Sequence, residues 1–180
     1  VLHEMRPSRQ TPAHQTDRLA ELVCSNSLKS ESENTAPWLL KEELRRLDSL
    51  LLHAAQRCRV PGGQALTVDR LLFAEEVTRT IDSEPLIELR RSEVTAIDPD
   101  QVTVIATGPL TSDALAGEIG RLTGSDRLFF YDAISPIVDA ETVDMSIGFR
   151  ASRYDKSLDG TGDYVNCPFD KPQYEAFVDA

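Results

Sequence analysis

The segment YVNCPF, residues 164–169, places a cysteine between an asparagine and a proline. Pro168 disfavours a helical conformation of the residue before it, so Cys167 is predicted to lie on an extended or turning segment. Reactive side chains are often displayed on such segments. A thiol in this setting suits nucleophilic chemistry, provided that a second reactive group is brought to it.

Two further cysteines, Cys24 and Cys58, lie far from Cys167 in the sequence. No CxxC pair is present, so neither a zinc site nor a thioredoxin-like redox motif is predicted. An odd number of cysteines in a chain expected to be cytoplasmic argues against a disulfide framework. Taken alone, Cys24 at the end of an apolar segment is more typical of a packed residue than of a reactive thiol.

Two segments have features of a nucleotide site. Residues 1–4, VLHE, are predicted to form a strand that ends in Glu4, and TVIATGPL contains a strand that ends in the turn Ala106, Thr107, Gly108. In α/β sheets an acid at a strand end accepts hydrogen bonds from ribose, and a glycine lets the backbone approach a dinucleotide. Many strands end in acids or glycines for structural reasons alone. The GxGxxG turn that normally precedes such an acid does not occur in the sequence.

A small basic cluster follows residue 150. Arg153, Tyr154 and Lys156 lie in the segment ASRYDK, with Arg150 just before it. Such a group is either an ordinary solvated charge cluster or a local phosphate contact. The net charge of −11 at pH 7 disfavours a broad nucleic-acid surface, because phosphate contacts need Lys and Arg.

The apolar pattern predicts strands that alternate with helices. Helices are predicted at residues 16–24, 37–56, 69–83, 112–122 and 171–180, with a loop at 25–36; strands are predicted at 1–4, within 60–70, and at 86–91, 101–106 and 127–133. The segment 101–106 is nearly continuous in β-branched residues, which is typical of a buried parallel strand. This alternation predicts an α/β fold with a mainly parallel sheet.

The composition is that of a globular protein, with 180 residues, 41% hydrophobic and 27% charged. No apolar run approaches the roughly 20 residues needed to cross a bilayer. The first residues lack the pattern of a secretory signal, so a cytoplasmic location is expected. A strand that starts at Val1 without an entry turn, and a final helix without a cap, indicate an excised piece of a longer protein.

Eight segments form a recognisable series: EMRP, TPAHQTDRLAELVCSNS, LLKEELRRLDSLLLHAA, VPGGQALTVDR, VIATGPLTS, LFFYDAISPIV, ASRYDK and DYVNCPF. Together they resemble the folate- and flavin-dependent tRNA (uracil-5-)-methyltransferases, the TrmFO family. They occur in the family's order and cover nearly the whole chain. Trp38 is a departure, since the family more often has glycine there.

The resemblance implies a flavoprotein that methylates the T-loop uridine of tRNA. Methylenetetrahydrofolate would supply the carbon, reduced FAD the electrons and NAD(P)H the reducing equivalents, with no metal and no membrane partner. The implied fold is the mainly parallel sheet of a Rossmann-like flavin domain, plus part of a second α/β insertion domain, truncated at both ends. Residues 1–15 would end a strand of the flavin domain, 16–100 would belong to both domains, and 101–180 would hold the ATG turn and the insertion domain.

The resemblance also assigns residues. The family's functional thiols match Cys24 and Cys167. Cys167, on a restrained segment, is assigned as the nucleophile and Cys24 as the assisting thiol or proton acceptor, although their roles could be exchanged; Cys58 is expected to be structural. The expected cofactor contacts are Glu4, Arg6, Ala106, Thr107 and Gly108, and the expected flavin, folate or tRNA contacts are Arg153, Tyr154 and Lys156.

Two alternatives stay open from the sequence. One is the related flavoprotein that modifies the tRNA wobble uridine, which lacks the paired CSNS and NCP pattern; the other is a non-catalytic remnant. Without a glycine turn to hold the pyrophosphate, the isolated 180-residue chain is expected to bind FAD poorly. If the chain is catalytic, Cys24 and Cys167 must reach one uracil ring, which predicts that they lie on the same side of the fold, remote from Cys58.

Overall fold

The computed structural model describes residues 1–125, 138–152, 157, 160 and 162–179. The chain divides into two compact units. The first comprises Val1–Ser25 and Arg70–Ser135, and the second comprises Asn26–Asp69 and Pro136–Ala180. The predicted division into a flavin domain and an insertion domain stays a prediction.

The described residues form short strands and five α-helices. In chain order these are β1 (Leu2–His3), β2 (Ser27–Ser30), α1 (Ala36–Arg46), α2 (Leu50–Arg57), β3 (Arg59–Val60), β4 (Ala65–Val68), α3 (Arg70–Asp82), β5 (Leu89–Arg90), α4 (Asp113–Thr123), β6 (Phe149–Ala151), β7 (Tyr164–Asn166) and α5 (Lys171–Asp179). The chain is therefore a mixed α/β protein. Predicted helices at 69–83, 112–122 and 171–180 are confirmed as α3, α4 and α5.

In the first unit, β1 and β5 form a parallel pair, with Leu2 opposite Leu89 and His3 opposite Arg90. The predicted strands at 1–4 and 86–91 are thus confirmed in shortened form. The amide of Glu4 continues the ladder with a 3.0 Å hydrogen bond to the carbonyl of Arg90. Parallel pairing brings the residues that follow the two strands to the same edge.

In the second unit, β4 lies between β2 and β3 in an antiparallel sheet. Leu66 and Val68 of β4 are fully buried, and α2 packs against this strand through an apolar face that includes Leu52 and Ala55. Strands β6 and β7 form a separate antiparallel hairpin. The predicted strand within 60–70 is confirmed, whereas β2 lies in a segment that was expected to be a loop.

The predicted, mainly parallel sheet differs from the observed sheets. Among the described residues, β1–β5 is the one parallel pair, and β2–β4–β3 and β6–β7 are antiparallel. The predicted strand at 101–106 does not form, and Val102 and Val104 are 104% and 87% exposed. A strand needs a neighbour for its N–H and C=O groups, and within the described part of the chain no segment pairs with these residues. The predicted strand at 127–133 lies outside the described residues.

The predicted helix at 16–24 is wrong. Ala20 has a φ of +55°, which a right-handed helix does not allow. The carboxylate of Glu21 accepts hydrogen bonds from the amides of Gln15 and Thr16, 2.9 and 3.0 Å away. Such side-chain to backbone bonds compete with helical ones, so the apolar spacing did not decide the local structure.

The predicted helix at 37–56 is divided into α1 and α2. The hydroxyl of Thr35 caps the beginning of α1 by accepting a hydrogen bond from the backbone amide of Trp38. The chain then leaves helical geometry at Asp48, whose φ is +56°. The amide of Ser49 donates to the carbonyl of Leu44, which closes the first helix. The break permits α2 to turn its own apolar face toward β4.

Candidate functional site

Glu4 and Arg6 form a tightly bonded pair just after β1. The Nε and Nη2 atoms of Arg6 donate to the two carboxylate oxygens of Glu4, both at 3.0 Å, and the Arg6 amide donates to Oε1 at 2.9 Å. The Arg6 residue is 3% exposed, while the side chain of Glu4 retains 19% of its surface. The planar guanidinium of Arg6 thus holds the carboxylate of Glu4 in one orientation through two parallel hydrogen bonds.

Glu21 completes this network from the segment that was expected to be helical. Its Oε2 accepts from Nη1 of Arg6 at 3.0 Å and from the hydroxyl of Thr16 at 2.7 Å, and Nη1 of Arg6 also donates to the carbonyl of Thr16. The Glu21 side chain is 13% exposed. A role for Glu21 was not predicted, because its partner Arg6 lies 15 residues away in the sequence.

The carboxyls of Glu4 and Glu21 have pKa values below their ordinary value of 4.5. Burial acts to raise the pKa of both groups, but hydrogen bonds that favour the charged form outweigh it. For Glu4 these bonds come from the side chain and amide of Arg6. For Glu21 they come first from the amide of Gln15 and then from Thr16. Both groups are therefore carboxylates at neutral pH.

Arg9 links the turn after β1 to the beginning of α4. Its Nη1 lies 2.9 Å from Oε1 of Glu93, and its Nη2 lies 3.9 Å from Oδ2 of Asp113. Glu93 also bonds to Ser112, which caps α4. Since the ATG turn directly precedes α4, the Arg9 side chain spans from the turn after Glu4 to the helix that follows the ATG turn. A role for Arg9 was not apparent from the sequence.

The predicted ATG turn, Ala106, Thr107 and Gly108, is exposed. Gly108 has a φ of +63°, and a Cβ added there would meet no atom within 4 Å. The turn is closed by the hydroxyl of Thr111, which donates to the carbonyl of Gly108 at 2.7 Å. An open backbone of this kind fits the close approach of a dinucleotide.

Cys24 is exposed on the first unit, a few residues after Glu21. Its carbonyl accepts a 3.4 Å hydrogen bond from Nη2 of Arg70 at the start of α3. The amide of Leu19 donates to the hydroxyl of Thr78 at 2.9 Å, so the segment before the thiol is also fixed to α3. Cys24 is therefore not the packed residue that its position at the end of an apolar segment indicated.

Cys167 is exposed on the second unit, directly after β7. The prediction of an extended or turning segment is confirmed. The side-chain Nδ2 of Asn166 donates a 3.4 Å hydrogen bond to the carbonyl of Ala151 on β6. The hydroxyl of Tyr164 donates to the carbonyl of Gly62 at 3.1 Å. The hairpin thus presents the thiol from a restrained backbone.

Cys58 is 7% exposed at the end of α2, and its carbonyl accepts from the amide of Asp69 at 2.8 Å. It is buried, as expected of a structural residue. Cys24 belongs to the first unit and Cys167 to the second, and their common use in one reaction stays a prediction.

The expected contacts Arg153, Tyr154 and Lys156 lie outside the described residues. Arg150 lies on β6 and is exposed. None of the helices described is long and apolar enough to span a membrane. Within residues 1–125, 138–152 and 162–179, no three potential metal ligands come together.

The first unit fits the ribose of a dinucleotide at one point. The carboxylate of Glu4 accepts three bonds from Arg6, whereas two carboxylate oxygens offer about four acceptor positions. One position is therefore left for a hydroxyl donor, on a side chain that is partly exposed. Binding of FAD by Glu4 and by the open turn at Gly108 stays a prediction.

Comparison with known proteins shows what the chain is similar to. The family described as "Glucose inhibited division protein A" matches residues 2–180. A protein of Solibacter usitatus named methylenetetrahydrofolate–tRNA-(uracil-5-)-methyltransferase TrmFO is 72% identical over 179 residues, which are 99% of this chain and 40% of that protein. Proteins with the same name from Koribacter versatilis and Geotalea uraniireducens are 63% and 56% identical over 180 residues, 99% and 100% of this chain and 40% and 41% of theirs. The chain thus spans about two fifths of the length of these relatives.

Proposed function

The chain belongs to the family described as glucose inhibited division protein A, and from this premise we propose that it is part of a tRNA (uracil-5-)-methyltransferase that uses methylenetetrahydrofolate and FAD. The observation that carries the proposal is the 72% identity to a relative of that name over 99% of the chain. The match is therefore not confined to one motif of the chain.

The first unit would contribute to a Rossmann-like flavin domain. Its parallel pair β1–β5, with Glu4 at the carboxyl end of β1, supports this assignment. Glu4 would accept from a ribose hydroxyl, and the backbone at Ala106, Thr107 and Gly108 would lie against the dinucleotide. When bound, reduced FAD would supply electrons, methylenetetrahydrofolate the carbon and NAD(P)H the reducing equivalents.

The thiols would activate the uracil. Carbon 5 of a uracil is a weak nucleophile until a thiolate adds at carbon 6, which forms an S–C6 bond and an enolate. After carbon 5 has bonded to the methylene carbon, a base removes the proton on carbon 5 and the bond from the methylene carbon to its carrier breaks. A hydride equivalent from reduced FAD would then complete the methyl group as the S–C6 bond breaks to release the thiolate. Cys167 would be the attacking thiol, because the β6–β7 hairpin restrains it. Cys24 would be the assisting thiol or proton acceptor.

The substrate would be the T-loop uridine of tRNA. The names of the relatives given above favour uracil-5 methylation over modification of the wobble uridine. Arg153, Tyr154 and Lys156 remain candidate contacts for flavin, folate or tRNA phosphate. A non-catalytic remnant is distinguished from an enzyme by the experiment that follows.

The proposal is tested with the full-length protein that contains this chain. Transfer of a labelled methylene carbon from methylenetetrahydrofolate to tRNA is measured together with the flavin absorbance of the purified protein. Cys167→Ala should abolish methyl transfer while FAD stays bound, and Cys24→Ala should reduce transfer strongly. Cys58→Ala is the control and should leave turnover nearly unchanged.

Full methyl transfer by Cys167→Ala would exclude the assigned nucleophile. If the unsubstituted protein binds FAD but does not label tRNA, the result would support a non-catalytic remnant. Labelling of the wobble uridine instead of the T-loop would support the related flavoprotein.

A further inference from the structure

Arg6 was expected to contact the cofactor, but its hydrogen bonds leave little capacity for this. A guanidinium has five N–H groups. Arg6 directs Nε and Nη2 to Glu4 and uses Nη1 for Glu21 and for the carbonyl of Thr16. Four N–H groups are thus bound to protein, and the residue is 3% exposed. At most one N–H is left for a ligand.

The partners of Arg6 come from two separate places in the chain. Glu4 ends the strand β1, at the proposed ribose site. Glu21 and Thr16 belong to the irregular segment that leads to Cys24. Arg91, from just after β5, donates to the carbonyls of Arg6 and Asp17, so a second side chain joins the same two places through the backbone.

From this arrangement we propose that Arg6 is a positioning residue that orients Glu4 toward the ribose and fixes the segment leading to Cys24, and that it does not itself bind the cofactor. The inference rests on the proposed function, because it takes FAD as the dinucleotide. A buried cation with two carboxylate partners suits this role, since removal of one member leaves the others uncompensated. A loosely held Glu4 would have to be ordered again for each ligand, which lowers affinity.

A double-mutant cycle on the full-length protein separates positioning from direct contact. The dissociation constant of FAD is measured for Arg6→Lys, Glu4→Gln and the double variant. Each single change should weaken binding about tenfold, the size expected when one charge-assisted hydrogen bond is lost. If Arg6 acts through Glu4, the double variant should be no more than about twofold weaker than Glu4→Gln, because coupled residues are not additive.

Arg79→Lys is the matched control. Arg79 lies on α3 in the same unit and pairs with Glu76 at 2.8 Å, but its side chain is 64% exposed. This change should leave the dissociation constant of FAD unaltered. Urea unfolding of each variant shows whether it is folded under the conditions of the binding measurement.

The second part of the proposal has its own readout. Trypsin cleavage after Arg18, followed by mass spectrometry, reports local opening of the segment before Cys24. Glu21→Gln leaves Arg6 and Glu4 in place, so it should fold even if Arg6→Lys does not, and it should speed this cleavage about tenfold, since it removes one charge-assisted bond. Cleavage after Arg46, an exposed residue at the end of α1 in the second unit, should be unchanged.

The outcomes distinguish the two levels of inference. Additive effects, with the double variant about a hundredfold weaker than the unsubstituted protein, would show direct contact and overturn the positioning role. Unchanged binding in Arg6→Lys, or unchanged cleavage after Arg18 in Glu21→Gln, would also overturn it. If the unsubstituted protein binds no FAD, the proposed function itself fails, and the positioning role toward FAD fails with it.

Discussion

The hydroxyl of Tyr164 donates a 3.1 Å hydrogen bond to the carbonyl of Gly62. This bond joins β7 to the turn between β3 and β4 within the second unit. Tyr164 lies three residues before Cys167, and Tyr164 pairs with Ala151 of β6 in the hairpin. The Tyr164 side chain therefore connects the strand that precedes the exposed Cys167 thiol to the antiparallel sheet β2–β4–β3.

Tyr164→Phe should remove this bond and leave the ring in place. We expect the free energy of unfolding to fall by about 1 kcal/mol, the net value of an ordinary hydrogen bond. If Cys167 is the nucleophile, kcat for methyl transfer should fall by up to about a hundredfold with little change in KM for tRNA, because small errors in position are costly in rate. Urea unfolding and steady-state kinetics measure the two effects.

Tyr174→Phe is the control for that change. Tyr174 lies on α5 in the same unit and is exposed. This variant should match the unsubstituted protein in both measurements. If Tyr164→Phe behaved in the same way, the hydrogen bond to Gly62 would have no part in holding the thiol.

Gly62→Ala should destabilise the antiparallel sheet. A Cβ at residue 62 would lie 1.9 Å from Oγ1 and 2.5 Å from Cβ of Thr67, which is buried in β4. Relief of such overlap requires backbone movement, and we expect a loss of about 1–3 kcal/mol in the free energy of unfolding. Gly117→Ala, in α4, meets no atom within 4 Å and should instead stabilise the protein by about 0.5–1 kcal/mol. Equal urea midpoints for Gly62→Ala and Gly117→Ala would contradict the difference in packing at the two glycines.

The three thiols should react at different rates. Cys24 and Cys167 are exposed and Cys58 is buried, so a thiol reagent should label the first two rapidly in the native protein. Cys58 should react only after unfolding, since a buried thiol is protected until the structure opens. Peptide mapping by mass spectrometry identifies each labelled site. Rapid native labelling of Cys58 would show that the end of α2 is not packed as described.

Acid should weaken the network around Arg6. The pKa values of Glu4 and Glu21 are lowered from 4.5 in the folded state, so their contribution to stability is fully present above about pH 4.5. It is lost as the pH falls through the lower, folded values, because the unfolded chain then binds more protons. Urea unfolding between about pH 5 and pH 3 should show this decline.

Arg6→Met tests the origin of that decline. The carboxylate of Glu4 then lacks the hydrogen bonds and the charge of the Arg6 side chain, burial raises its pKa, and the acid-dependent loss of stability should become smaller. The pKa of Glu21 should stay lowered by its bonds to Gln15 and Thr16. An identical pH profile in this variant would show that other groups are responsible.

Glu118 should titrate far below an ordinary glutamic acid. Hydrogen bonds from the side chain of Arg121 and then from the amide of Ile97 lower its pKa from 4.5 to about 2. A carboxyl titration followed by NMR should show this value, and Arg121→Gln should move it back toward 4.5. A midpoint near 4.5 in the unsubstituted protein would mean that the Arg121 pair does not persist in solution.

The sequence predicted the features that depend on neighbouring residues. Pro168 was enough to place Cys167 on a non-helical segment, because its effect acts on the preceding residue. The helix predicted at 112–122 is present as α4, where Ser112 supplies the N-terminal cap. Glu4 also lies where the strand pattern placed it, just after β1. Gly108 lies in an exposed turn, as predicted, although the strand expected before it does not form. The exposure of Cys24, by contrast, opposed what its apolar neighbours indicated.

Tertiary structure decided what depends on distant partners. The β-branched run at 101–106 has the composition of a buried strand, but pairing is a property of two segments, and its residues are exposed here. Glu21 captures the amides of Gln15 and Thr16 and the guanidinium of Arg6, which replaces the helix that local spacing favoured. Ion pairs and strand pairs join residues that are far apart in the sequence, so they were determined by the tertiary structure.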